Sequence, residues 1–194
     1  MARTKEFEPD DAVERAMQQF WSAGYAATTP QQLVDALHIG RSSLYNAFGS
    51  KQGLFEQALA RYLDREAQRV VDALDQPGPP IERLGAAVRL VIHGADADPQ
   101  RRGCLVTNTA TESGARDGAV AALVNEAFRR QHAAFARTLA QGQAAGEVDP
   151  TRDAGELATY LLAVLNGAQV LSRARPTSDP IEYIADIAIR AIRA

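Results

Sequence analysis

Residues 28–55 read TTPQQLVDALHIGRSSLYNAFGSKQGLF, and this run decides how the rest of the chain is read. Thr29 before Pro30 fits a helix N-cap followed by proline at the first helical position, where a missing N–H costs nothing. One short helix is expected over about Pro30–Leu37 and a second over about Arg41–Ala47. A longer one runs from the cap Ser50 to about Leu74. Leu33, Ala36 and Leu37 can pack against Ile39, Leu44, Tyr45 and Phe48. That packing lays the second short helix across the first, as in a helix-turn-helix. The outward face of the second helix then offers Arg41, Ser42, Ser43 and Asn46, donors and acceptors suited to base edges and phosphates. Thr29 and Lys51, each at the start of a helix, are placed to share a phosphate with the helix N–H groups. No acidic residue lies between Ala36 and Phe55, so Arg41 and Lys51 give that run a charge of +2.

Outward from this motif the chain reads as all-α. Its 194 residues are 46% hydrophobic, enough for a real core, and the formal charge of -3 requires any DNA-binding surface to be a local basic one. Helical spacing predicts about nine helices: Pro9–Gly24, the three above, then Ile81–Gly94, Arg101–Ser113, Asp117–Ala145, Asp153–Ala174 and Pro180–Arg193. The main breaks are Gln76–Pro80 and Ala174–Pro180, with a weaker one at Ser113–Gly118. The functional division expected is 1–52 for the helix-turn-helix and 53–194 for the second domain, joined by the helix over about 50–74.

The chemistry-bearing residues argue against catalysis. Cys104 is the single cysteine, so neither an intrachain disulfide nor a cysteine metal cluster is expected. The three histidines lack metal-ligand spacing, and no metal or cofactor is expected. A nucleophile elbow and a phosphate-cradling glycine loop are absent from the sequence. The start of the chain, MARTKE, has no apolar export core, and the most apolar stretch, Leu157–Leu171, is broken by Asn166, Gly167 and Gln169. The expectation is a cytoplasmic protein without a membrane partner. A helical protein-interaction or nucleoid-coating module is the alternative to a sequence-specific binder.

The motif resembles the DNA-binding motif of the TetR family, in which a short recognition helix carries a leucine-tyrosine pair and a phenylalanine and is followed by a lysine. Here these are Leu44-Tyr45, Phe48 and Lys51. Phe20, Gly24-Tyr25 and Thr28-Thr29 match the flanking pattern, and the resemblance covers about Val13–Leu59. Two positions depart from it: His38 stands where glycine is usual at the turn, and Gly40 stands where serine or threonine usually caps the recognition helix. Resemblance extends more loosely through Arg102–Glu112, Gly142–Glu147 and Leu162–Leu171.

The family implies a homodimeric repressor that binds double-stranded operator DNA and releases it on binding a small-molecule effector. It implies phosphate contacts from Thr29, Tyr45 and Lys51 and base contacts from Arg41, Ser42 and Asn46. For the effector, His93, Cys104, Asn108, Phe128, His132 and Asn166 are the candidate contacts. Cys104, beside Arg101 and Arg102, is either a small packing residue or a reactive thiol. The family pairs its last two helices across the dimer, and both show apolar stripes here. The interface candidates are Leu161, Leu165, Ala168, Ile181, Ile184 and Ala188.

Overall fold

A computed structural model describes residues 7–112, 118–174 and 181–194. Within them nine helices follow one another: α1 (Pro9–Ala23), α2 (Pro30–Leu37), α3 (Arg41–Phe48), α4 (Lys51–Leu74), α5 (Pro80–Asp96), α6 (Leu105–Glu112), α7 (Gly118–Ala144), α8 (Ala154–Ala174) and α9 (Glu182–Arg190). The loops expected near 113–118 and 174–180 lie almost wholly outside the described residues, as does the polar start of the chain.

The caps set the short helices. Thr29 accepts from Gln32 N–H while Gln32 returns its carbonyl to Thr29 N–H, a reciprocal capping box on α2. His38 ends α2 in the left-handed region at φ 56°, where histidine is tolerated better than most non-glycine residues. Gly40 starts α3 without a side-chain cap, and the hydroxyl of Ser50 caps α4 by accepting from Gly53 N–H. The tight turn between α2 and α3 therefore forms with His38 and Gly40 in place.

Two expected elements are shorter than their sequence suggested: α9 begins at Glu182 and ends at Arg190, not Arg193, and α6 loses its first turn. α6 starts at Leu105, not Arg101. Arg101 and Gly103 both hold positive φ, 51° and 68°, which no α-helix accommodates. Residues 98–104 instead form a loop clamped to its neighbours. The Arg102 guanidinium pairs with Asp98, donates to Gln18 Oε1 at 2.6 Å and lies 3.9 Å over the Trp21 ring. Trp21 Nε1 donates to Gly103 O at 2.9 Å, and Arg101 donates to Ser172 O. Burial alone would raise the Asp98 carboxyl, but hydrogen bonds from Arg102 and its charge outweigh that and hold it below the ordinary carboxylate range. The stabilisation is complete above about pH 4 and is lost as pH falls through the lowered value. Asp98→Asn is expected to cost about 1–2 kcal/mol at pH 7. The gap between variant and wild type should close below pH 4, as urea unfolding at several pH values would show.

Apolar side chains gather in two clusters. The first joins α1, α2, α3 and the first half of α4 to Leu105 and Val106 of α6 and to Val120, Val124 and Ala127 of α7. The second joins the end of α4 to α5, α7, α8 and α9. The clusters part midway along α4, beyond Leu63, so α6 and the start of α7 share a core with the helix-turn-helix.

Candidate functional site

α3 buries Leu44 and Phe48, which fixes what it shows to solvent. Helical spacing turns Ser42 and Asn46 directly away from that buried pair, with Arg41 and Tyr45 along one flank. All four are exposed, Ser43 is half-buried, and Thr29 is exposed at the start of α2. The structure thus brings the predicted residues onto one face. Lys51, expected to share a phosphate with the start of α4, is half-buried. Its ammonium donates to Thr28 O at 2.6 Å and lies 4.3 Å from the Tyr25 ring centre. Burial lowers its pKa, opposed by the charge of Glu112. Lys51 therefore fixes the α1–α2 loop from inside, and only its residual exposure is left for a phosphate.

A cavity of about 90 Å³ lies between the end of α1 and helices α4 to α8. Trp21, Tyr62, Phe128 and Phe135 give it aromatic walls, and Gln131 and Asn166 give it amides. Of the six expected effector contacts, Cys104, Phe128 and Asn166 line it and three do not. His93 follows buried Ile92 on α5 and faces solvent. Asn108 lies on the opposite side of α6, where its amide donates to Arg102 O at 2.8 Å. His132 places Nε2 3.0 Å from Gly155 O, at the start of α8. Asn166 Oδ1 accepts from Thr107 Oγ1 at 2.7 Å, so part of its polarity is already used. Cys104 is half-buried beside Tyr62, whose hydroxyl pKa is pushed well up, first by burial and then by the neighbouring Cys104 and Glu66. The two arginines next to Cys104 in sequence are engaged elsewhere, Arg101 with Ser172 and Arg102 with Asp98.

Sequence reasoning missed Trp21, Tyr62 and Phe135 as cavity walls. Phe135 and Gln131 share the α7 face of Phe128, and that spacing was the available signal. The inward turn of Trp21 depends on its hydrogen bond to a loop 82 residues away, which no local pattern encodes.

The interface stripes also sort differently. Leu161, Leu165, Ala168, Ile181 and Ala188 are buried in the chain's own core, and Ile184 is half-buried. α8 is apolar on more than one face, and spacing alone does not say which face turns inward. The exposed apolar residues there are Tyr160, Val170 and Leu171 on α8 and Tyr183 and Ile187 on α9. Gly167 lies on the exposed side of α8, where a Cβ would meet nothing within 4 Å. Among the described residues no helix is long and apolar enough to cross a membrane.

Comparison with known proteins agrees with this geometry. Residues 12–58 match the family described as bacterial regulatory proteins, tetR family, and residues 80–188 match the tetracyclin repressor-like C-terminal domain. The chain is 29% identical over 189 residues to the HTH-type transcriptional repressor ComR of Escherichia coli K12, covering 97% of this chain and 90% of ComR. It superposes on a cysteine mutant of the TetR family regulator CifR, solved with 26-bp double-strand operator DNA, at a TM-score of 0.86. The identity there is 31%, covering 98% of this chain and all of CifR (100%). E. coli NemR in its reduced form shares the fold at a TM-score of 0.83 and 18% identity, covering 95% of this chain and 96% of NemR. From the N-terminal helix-turn-helix through α9, the chain belongs to the TetR family of bacterial regulatory proteins.

Proposed function

We propose that the protein is a homodimeric, sequence-specific repressor that leaves its operator when a small molecule occupies the cavity beneath α6. The observation that carries this is the α3 face. Arg41, Ser42, Tyr45 and Asn46 stand exposed together on a helix whose buried side is anchored by Leu44 and Phe48. CifR, similar over its whole length, is solved on operator DNA, which supports the same use of this face. Residues 1–52 carry the DNA contacts and 53–194 sensing and dimerisation, with α4 common to both. Such a protein works in the cytoplasm, where the chromosome is.

In this reading Ser42 and Asn46 read base edges, Arg41 reads a base or a phosphate, and Thr29, Tyr45 and the half-buried Lys51 hold the backbone. Dimerisation uses Tyr160, Val170 and Leu171 with Tyr183 and Ile187, large apolar residues of α8 and α9 that stand exposed on the single chain. Cys104, Phe128 and Asn166, with Trp21 and Tyr62, contact the effector. The aromatic walls and amide groups suit a small neutral or amphipathic compound.

Selection of duplexes from a random pool by the purified protein tests this. Near-palindromic sequences with half-sites one helical turn apart, or a multiple of it, are the expected product. Enrichment of no sequence, with tight binding to all duplexes, would favour a nucleoid-coating role instead. On a selected duplex, Asn46→Ala is expected to weaken binding by about tenfold, with little change on unrelated DNA. Arg41→Ala should also flatten the salt dependence, by about one counterion if its contact is a phosphate. Fluorescence anisotropy over a salt series measures both.

A further inference from the structure

α6 is eight residues long and separates two spaces. Cys104 and Val106 face the 90 Å³ cavity, while Leu105, Asn108, Thr109 and Glu112 face a polar cleft of about 240 Å³ against the end of α1. The first space is smaller than the roughly 150 Å³ cavity that takes benzene in a protein core, so a larger occupant presses on its walls, α6 among them, or extends through its open side. The cleft lies on the far side of α6.

Glu112 spans that cleft. Its carboxylate accepts from Ala26 N–H at 2.7 Å and from Tyr25 N–H at 3.2 Å. Gly24, at φ +82°, permits this approach, because a Cβ there would sit 3.0 Å from Glu112 Oε2. The same loop is gripped from the other side by Lys51 through Thr28 O and the Tyr25 ring. One acid from α6 and one base from α4 thus hold the segment that leads into Thr29 and α2.

We propose that Glu112 is a positioning residue for the DNA-contacting surface, transmitting the location of α6 to the α1–α2 loop and so to Thr29 and Lys51. This rests on the reading of the α2–α3 face as the DNA surface. Two hydrogen bonds from loop amides to a charged acceptor are stronger than neutral ones, and they tie α6 directly to that loop.

The test uses the full chain with Glu112→Ala, Glu112→Gln and Glu112→Asp, read by amide hydrogen exchange and by affinity for a selected duplex. Glu112→Ala is expected to speed exchange across residues 25–32 by about fivefold or more and to weaken DNA binding about fivefold, with exchange in α8 unchanged. Glu112→Gln keeps a neutral acceptor at the same reach and should restore part of both, about half of the loss. Glu112→Asp keeps the charge but falls short of the loop, and should behave like the alanine variant. Wild-type exchange and affinity in Glu112→Ala would overturn the proposal. So would tighter DNA binding by both uncharged variants, since that would make Glu112 only a repulsive charge. If Glu112→Ala does not fold, the contrast between the glutamine and aspartate variants decides. The exchange arm does not depend on DNA, so a wild-type protein that selects no duplex would sink the repressor reading without touching the clasp.

Discussion

Leu171→Arg is expected to leave the protein folded but monomeric, and to lower its affinity for a two-half-site operator by about a hundredfold or more. Leu171 is 50% exposed in the single chain, next to Val170 at 50%, with Ile187 at 50% and Tyr183 at 58% on the neighbouring helix. These exposed apolar residues support the dimer interface proposed above. In an isologous interface the same residue enters twice, so one substitution sets two guanidinium groups in an apolar contact. A monomer then binds each half-site independently and loses the gain in effective concentration from being linked to its twin. Sedimentation at micromolar concentration and anisotropy on the selected duplex measure the two effects. A Leu171→Arg protein that stays dimeric would place the interface elsewhere. Leu161→Ala offers the contrast, because Leu161 is fully buried in the chain's own core. That change should cost roughly 2–5 kcal/mol of stability.

Phe20→Ala is expected to lose roughly 3–5 kcal/mol and, in a chain of this length, about 10 °C in melting temperature. Phe20 is fully buried, with its ring 5.0 Å from Phe55 edge-on and 6.1 Å from Tyr25. It stands where α1, α4 and the α1–α2 loop meet, in the cluster that also takes in Leu105 and Val106 of α6. The loss should therefore reach α6 as well as the helix-turn-helix, and DNA binding should fail at temperatures where the second apolar cluster remains folded. A cost below about 1 kcal/mol would mean the site collapses around the gap and the two regions are less coupled than their shared core implies.

The contrast between these residues shows what the sequence made legible. Helix starts were readable where a cap and a proline coincide, as at Thr29-Pro30, because the chemistry is local. The α3 surface was readable for the same reason: once Leu44 and Phe48 are buried, an eight-residue helix has one remaining face. The start of α6 was not, because Arg101 adopts positive φ while tethered to Ser172, far along the chain. Likewise Leu161 and Leu171 are equally apolar, and only the three-dimensional packing of α5, α7 and α9 against one side of α8 separates core from surface. The polar effector candidates meet the same limit. His93, Asn108 and His132 each lie within a residue or two of a cavity or core position, yet none of them lines the cavity beneath α6.

The most direct test of the account is a footprint of the purified protein on the selected duplex, comparing wild type with an Arg41→Ala, Asn46→Ala double variant. The expected result is a discrete, near-palindromic protected region for wild type and loss of protection for the double variant at the same concentration, with the dimer intact. Equal protection by both proteins would contradict the claim that α3 reads the DNA.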